Sequence, residues 1–288
     1  MKAVFYHALT PMHIGNGTNL GLIDLPIQRE AHTEFPVMPS SAIKGVIRAS
    51  FEDEQTQNDI FGKTDEEGKV IFTDGKILLF PVKSLKGVFA WITSYYVLER
   101  FKRDTNIDIE DFKAVEKDYA LVSSDKIVIK DDDKSKLVLK DDDKSKLVLK
   151  DDDKSKLVLE EFTFNAYVYK NLIKLKQIIK CDIDQDKIAI VNDDVFKFFV
   201  KNYTEVNARI KINQAKGTAQ DTGLWYQELL PAETVFYGCI APRKNGCEEQ
   251  LTEVINKISN QTLQFGGDET LGRGFTKITV GGINNENP

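Results

Sequence analysis

The chain has 288 residues, of which 41% are hydrophobic and 29% charged, with a formal net charge of −6 and an isoelectric point near 5.3. Such a length buries a sizeable core, as one elaborated domain or two small ones, and no apolar run approaches the roughly 20 residues of a membrane helix. The acidic balance argues against nucleic-acid binding through whole-chain charge, so local basic clusters must carry any such role.

Cys181, Cys239 and Cys247 form no CxxC pair and have no histidine at finger spacing, which argues against structural zinc and a disulfide framework. The start, Met1-Lys2-Ala3-Val4-Phe5-Tyr6-His7, lacks a long apolar core and a small-residue cleavage site. No signal peptide is expected, and the cytoplasm is the expected location.

Residues 3–12 read as a strand. The stretch that follows is dense in chemistry: Pro11-Met12-His13-Ile14-Gly15, then Ile23-Asp24-Leu25-Pro26-Ile27-Gln28-Arg29-Glu30, then Pro39-Ser40-Ser41-Ala42-Ile43-Lys44-Gly45-Val46-Ile47-Arg48. A segment that only built core would not need that mixture. Residues 41–51 predict a helix capped by Ser40 or Ser41, with Ile43, Val46, Ile47 and Phe51 on one face. Ser41, Lys44 and Arg48 share the opposite face as a basic ridge, either a binding surface or a solvated one. Gly45 in this helix costs roughly 1 kcal/mol against alanine, which suggests a close approach to the backbone. Residues 82–100 repeat the helical spacing with Val82, Leu85, Phe89, Ile92 and Tyr96.

The decapeptide Lys-Asp-Asp-Asp-Lys-Ser-Lys-Leu-Val-Leu occurs three times, from Lys130, Lys140 and Lys150, with a degenerate relative at Lys126-Ile127-Val128-Ile129. Its apolar runs between Asp/Lys/Ser turns read as small strands or an extended hairpin region. The aspartate triplets lack the glycine and distal glutamate of a calcium loop. A tandem expansion in a surface loop fits better, because long insertions add little closure entropy.

Further on, 193–203 predicts a helix, 208–212 and 224–237 strands, 248–259 a helix, and 262–265 and 274–280 strands. Between the strands Arg209-Ile210-Lys211-Ile212 and Leu224-Trp225-Tyr226 lies a small polar loop containing Lys216, the pattern of a projecting hairpin with a basic stem. Trp225 and Tyr226 are either core or stacking platforms for bases. In Gly266-Gly267-Asp268-Glu269-Thr270-Leu271-Gly272-Arg273-Gly274 the amides suit phosphates and Arg273 adds charge; a plain glycine-rich hairpin is the alternative. Mixed strands with few helices suggest an α+β domain of ferredoxin-like type decorated by insertions.

Taken in order, Pro-x-His-x-Gly at 11–15, Ile-Asp-Leu-Pro-Ile-Gln-Arg-Glu at 23–30, Ser-Ser-x-x-Lys-Gly-x-x-Arg at 40–48, Thr-Gly-Leu-Trp-Tyr at 222–226 and Gly-Gly-x-Glu-Thr-x-Gly-Arg-Gly-Phe at 266–275 resemble the RAMP superfamily. The resemblance is greatest to the backbone subunit of the type III-B CRISPR effector, the Cmr complex. It implies a single domain over 1–288 with a modified ferredoxin-like, RRM-like palm. A β-hairpin thumb would span about 205–228, and a repeat-bearing insertion about 120–163. It further implies a metal-dependent endoribonuclease that polymerises along a guide CRISPR RNA with other Cmr subunits and cuts single-stranded target RNA at intervals.

On that resemblance Asp24 is the cutting carboxylate and the candidate ligand of magnesium or manganese, with His13 and Glu228 as accessory candidates. Ser41, Lys44, Arg48, Gly266, Gly267, Gly272 and Arg273 would hold the guide. Arg209, Lys211, Lys216, Trp225 and Tyr226 would line the thumb. Two rivals remain: a non-catalytic RNA-binding scaffold of the same superfamily, and an acidic protein-interaction module built on the repeats.

Overall fold

The computed structural model describes residues 1–107, 109, 114–130, 155–169, 172, 178, 179, 181–213 and 218–281, the side chains of 212, 213 and 218–222 excepted. The strands are β1 (Lys2–Ala8), β2 (Val37–Met38), β3 (Gly62–Lys63), β4 (Glu66–Glu67), β5 (Val70–Phe72), β6 (Gly75–Lys83), β7 (Phe89–Ser94) and β8 (Tyr119–Val122). They continue with β9 (Lys156–Leu159), β10 (Phe162–Val168), β11 (Ile188–Val191), β12 (Glu205–Asn213), β13 (Thr218–Leu229), β14 (Val235–Pro242), β15 (Thr262–Gln264) and β16 (Phe275–Gly281). The helices among the described residues are α1 (Ser40–Ala49), α2 (Glu54–Phe61), α3 (Tyr95–Thr105), α4 (Asp193–Asn202) and α5 (Glu248–Ile258).

One mixed sheet, ordered β15-β16-β1-β14-β6-β7-β11-β8-β10-β9, organises the chain, with β2 beside β6 and β5 beside β14. Its pairs are antiparallel except β8 with β10 and β7 with β11. Val4, Phe5 and Tyr6 are buried in succession, as are Leu78, Leu79 and Phe80, so β1 and β6 are covered on both faces rather than alternating. Phe101 of α3 packs edge-on against Tyr237 of β14 at 4.9 Å between ring centres and touches Phe5 of β1. The hairpin β12–β13 stands as a separate two-stranded sheet.

The helix foreseen at 41–51 is α1, and it buries Ile43 and Ile47, worth about 2 kcal/mol each. Neither serine hydroxyl caps it: Pro39 holds the cap position, and the Ser40 N–H is taken by the Asp74 carboxylate at 2.7 Å. The helix expected over 82–100 is not there. Residues 75–83 and 89–94 are the antiparallel strands β6 and β7, and only α3 is helical. Gly87 and Val88 turn the chain at φ +84 and +74, which a continuous helix cannot pass. Leu85 and Tyr96, expected on a buried face, are exposed. Of the repeats, the last Lys-Leu-Val-Leu is β9; residues 131–154 lie outside the described set. No helix among the described residues is long and apolar enough to cross a membrane.

Candidate functional site

The segment carrying Asp24 lies along the root of the hairpin. Leu25 N–H donates to the Tyr226 carbonyl and Glu228 N–H to the Leu25 carbonyl, both at 3.0 Å, so 24–26 behaves as a short parallel strand beside β13. The Tyr226 N–H then donates to Asp24 Oδ2 at 2.7 Å, and Asn19 N–H to the Asp24 carbonyl at 2.9 Å. Asp24 is thereby held at a fixed place against the hairpin of its own chain. Its other oxygen, Oδ1, has no hydrogen-bond partner among the described residues.

Glu228 is 3% exposed, and its carboxylate accepts from Ile27 N–H at 3.0 Å, Arg29 Nη2 at 2.6 Å and Thr204 Oγ1 at 2.8 Å. Arg29 reaches on to the carbonyls of Glu34 and of Val200 near the end of α4, where a helix favours a cation. These bonds tie four chain segments together. The Glu228 carbonyl accepts from His13 Nδ1 at 2.7 Å, and since a carbonyl can only accept, Nδ1 carries the proton.

His13 is clamped from its other side by the glycine-rich loop. Gly267 N–H donates to the His13 carbonyl at 2.9 Å, and Gly274 N–H to the Pro11 carbonyl. Gly266 sits at φ +84, where a Cβ would fall 2.2 Å from the His13 carbonyl oxygen, so only glycine allows this approach.

Arg209 and Arg273 converge on one acid. Arg209 Nη1 lies 2.9 Å from Asp268 Oδ1, Gln227 Nε2 2.8 Å and Arg273 Nη1 3.4 Å from Oδ2. Burial alone would raise the Asp268 carboxyl, but hydrogen bonds from Arg209 and Gln227 and the charges of both arginines hold it below its usual range. The Arg209 guanidinium also lies over the Trp225 ring, 5.8 Å from its centre. Strand alternation gives the hairpin two faces: Asn207, Arg209, Trp225 and Gln227 on one; Val206, Ala208, Ile210, Leu224 and Tyr226 on the other. Ile210, Leu224 and Tyr226 are 55%, 54% and 40% exposed, and Lys211 is exposed as well, so this part of the hairpin is no core. Lys216 lies outside the described residues.

On α1, Arg48 donates to the Gly62 carbonyl and to Asn58 Oδ1, both at 2.6 Å, and so fastens α1 to α2. Lys44 has no such partner among the described residues; with Arg48 it lines a cavity of about 640 Å³ together with Lys63, Glu66 and Glu67. Ser41 and Gly45 are exposed, and a Cβ on Gly45 would meet nothing within 4 Å, so internal packing does not require that glycine. α1 packs against β15, the strand that leads into the glycine-rich loop.

The structure brings Asp24, His13, Glu228, Arg209, Tyr226, Gly266, Gly267 and Arg273 into one connected network and leaves Lys44 and Arg48 on a separate helix. The reading by residue type missed Arg29, Gln227 and Asp268. The available signal was an acid between the glycines and the arginine of one loop. No group of three or more His, Cys, Asp or Glu poised for a metal occurs among the described residues. A hard divalent ion that takes one carboxylate oxygen and completes its shell with water and phosphate nevertheless fits the unpartnered Asp24 Oδ1.

The profile of the RAMP superfamily matches residues 5–277. The chain is 39% identical to the "CRISPR system Cmr endoribonuclease Cmr4" of Pyrococcus furiosus, over 99% of this chain and 98% of that one. It is 21% identical to the "CRISPR system CMR subunit Cmr4" of Saccharolobus solfataricus, over 96% of each. The crystal structure of oligomeric Cmr4 from Pyrococcus furiosus superposes with a TM-score of 0.71 at 32% identity, over 97% of both chains. A chain of the type III-B Cmr-beta complex bound to cognate target RNA shares the fold at TM-score 0.74 and 19% identity, over 97% of this chain and 96% of that one. Profile, sequence relatives and shared fold agree: the chain belongs to the RAMP superfamily.

Proposed function

We propose that the chain is the backbone subunit of a type III-B ribonucleoprotein, assembling with further copies and other Cmr subunits along a guide RNA and cutting target RNA. The body of the sheet serves as palm, β12–β13 as thumb, and the repeat region as an insertion. The observation that carries the cutting role is the Asp24 carboxylate fastened to the hairpin root by the Tyr226 N–H. The likeness to a relative named as an endoribonuclease supports it.

RNA cleaves itself when a 2′-oxygen comes into line with the adjacent phosphorus, an arrangement that A-form stacking prevents. An exposed apolar hairpin face can enter the stack and splay a nucleotide. Asp24, fixed beside that hairpin, takes the 2′-hydroxyl proton as the oxygen attacks phosphorus; the P–O5′ bond breaks, and the 5′-oxygen takes a proton from solvent water as it leaves. The products are a 2′,3′-cyclic phosphate and a 5′-hydroxyl. In the alternative use of the same oxygen, Asp24 Oδ1 would hold a divalent ion, magnesium or manganese, that neutralises charge on the phosphate, and the 2′-hydroxyl proton would then pass to solvent. His13 and Glu228 position the segment: the buried Glu228 carboxylate already accepts three hydrogen bonds. Targets with a single 2′-deoxynucleotide just 5′ of one cut should stay whole there and be cut at the other sites. Fragments ending in 3′-hydroxyl would overturn this chemistry.

Guide binding falls to Lys44, Ser41 and the glycine-rich loop, with Arg48 supporting α1. Lys44→Glu should weaken guide binding and lower the slope of log K against log salt by about one, with Tm unchanged. Arg48→Ala should lower Tm, because it leaves the Gly62 carbonyl without its donor. Equal effects on Tm from both variants would refute the division.

A further inference from the structure

The last repeat ends in a strand held on both edges. Along one edge β9 pairs with β10, Leu159 opposite Phe162 and Lys156 opposite Asn165, and the Ala166 N–H donates to the Ser155 carbonyl at 2.9 Å. Along the other, Ile129 and Lys156 exchange two backbone hydrogen bonds of 2.9 Å, and Leu85 N–H reaches the Val158 carbonyl. Leu157 and Leu159 are 0% exposed and Ser155 6%. Residues 155–159 therefore fill a slot lined by β10, Ile129 and the Ser84–Leu85 turn.

The paired backbone and the buried leucines that fill the slot all belong to the pentapeptide Ser-Lys-Leu-Val-Leu, and the chain spells that pentapeptide again at 135–139 and 145–149. We propose that this slot is a binding site for Ser-Lys-Leu-Val-Leu as a β-strand, and that the three tandem copies compete for it. Outside the pentapeptide, the last copy gains one side-chain contact, Tyr203 OH to Glu161 at 2.6 Å. The Glu160 N–H that reaches the Lys83 carbonyl is a backbone donor that Lys140 and Lys150 also possess.

Chain closure sets the preference among copies. With the last copy bound, 26 residues (130–155) precede the strand and two (160–161) follow it; with the first, 6 and 22; with the middle one, 16 and 12. Closure entropy rises only with the logarithm of loop length, so the last copy leads the first by roughly fourfold and the middle one by roughly sevenfold. Within the pentapeptide the side chains are identical, so only the exposed Tyr203–Glu161 contact widens that gap. The repeat is thus a ligand encoded in triplicate, and the slot tolerates damage to any one copy.

The test places Leu157→Asp with Leu159→Asp in two backgrounds: the full chain, and a chain lacking 130–149 so that one copy remains. Urea unfolding is followed by tryptophan fluorescence, to which Trp91, 3% exposed in β7, and Trp225 both contribute. In the one-copy chain the double substitution should lower the ratio of folded to unfolded protein more than about a thousandfold, as burying two carboxylates in place of two core leucines demands. In the full chain the same change should cost roughly three- to fivefold, because another copy takes the slot. Equal losses in the two backgrounds overturn the proposal. So does a one-copy double variant that keeps its stability, since the slot would then not need the leucines.

Discussion

Asp24→Asn is expected to give assembled particles that bind target RNA as the parent does and cut it about 10²–10⁴-fold more slowly, the range of a lost proton acceptor. Asparagine keeps a side-chain oxygen for the Tyr226 N–H, now at 2.7 Å from Asp24 Oδ2, so the segment should stay in place while the negative charge and the base are lost. Single-turnover cleavage rates, read beside target affinity, separate the two contributions. Asp24→Ala should add a second defect, since it also frees the Tyr226 amide. Cutting at the parental rate by the asparagine variant would show that Asp24 is a turn-forming residue in a scaffold.

Glu228→Ala is expected to lower unfolding stability by about 3–5 kcal/mol, the cost of removing one partner from a buried ion pair. The Arg29 and Glu228 side chains are 20% and 5% exposed, so the stranded guanidinium gains little from water. The substitution also strips acceptors from Ile27 N–H and Thr204. Arg29→Met combined with Glu228→Leu should recover part of the loss, because the pair is removed together and apolar volume replaces it. Urea titration of Arg29→Met, Glu228→Leu and the double variant gives the coupling. Additive losses would mean that the two residues act independently, against the geometry.

The two halves of the site differed in how far residue types revealed them. His13 and Asp24 stand out because polar residues interrupt apolar surroundings, and α1 and α4 show because their apolar spacing fits a single period. Residues 82–100 misled because β7 is buried from Ala90 to Ser94 in succession, so its apolar residues follow no two-residue alternation and fall on a helical spacing instead, and the deciding fact, the left-handed turn at Gly87, lies in the backbone. Arg48 and Arg209 look alike as charges; that one is committed to Gly62 and the other to Asp268 depends on partners distant in sequence. Asp268 was hidden among glycines whose spacing suggested a phosphate cradle. The parallel pairs β7 with β11 and β8 with β10 join segments far apart in the chain, beyond the reach of local periodicity.

Position 228 holds Leu25 with its N–H, His13 with its carbonyl, and Ile27, Arg29 and Thr204 with its carboxylate. A strand shifted by one residue turns every side chain to the opposite face. Inserting or deleting a single residue between Leu224 and Leu229 would therefore swing the carboxylate away from Arg29 and break all three attachments at once. The hairpin can change length only at its far end. Natural variants of this chain should accordingly explore new tips freely, while the root stays constant in length even where its amino acids drift.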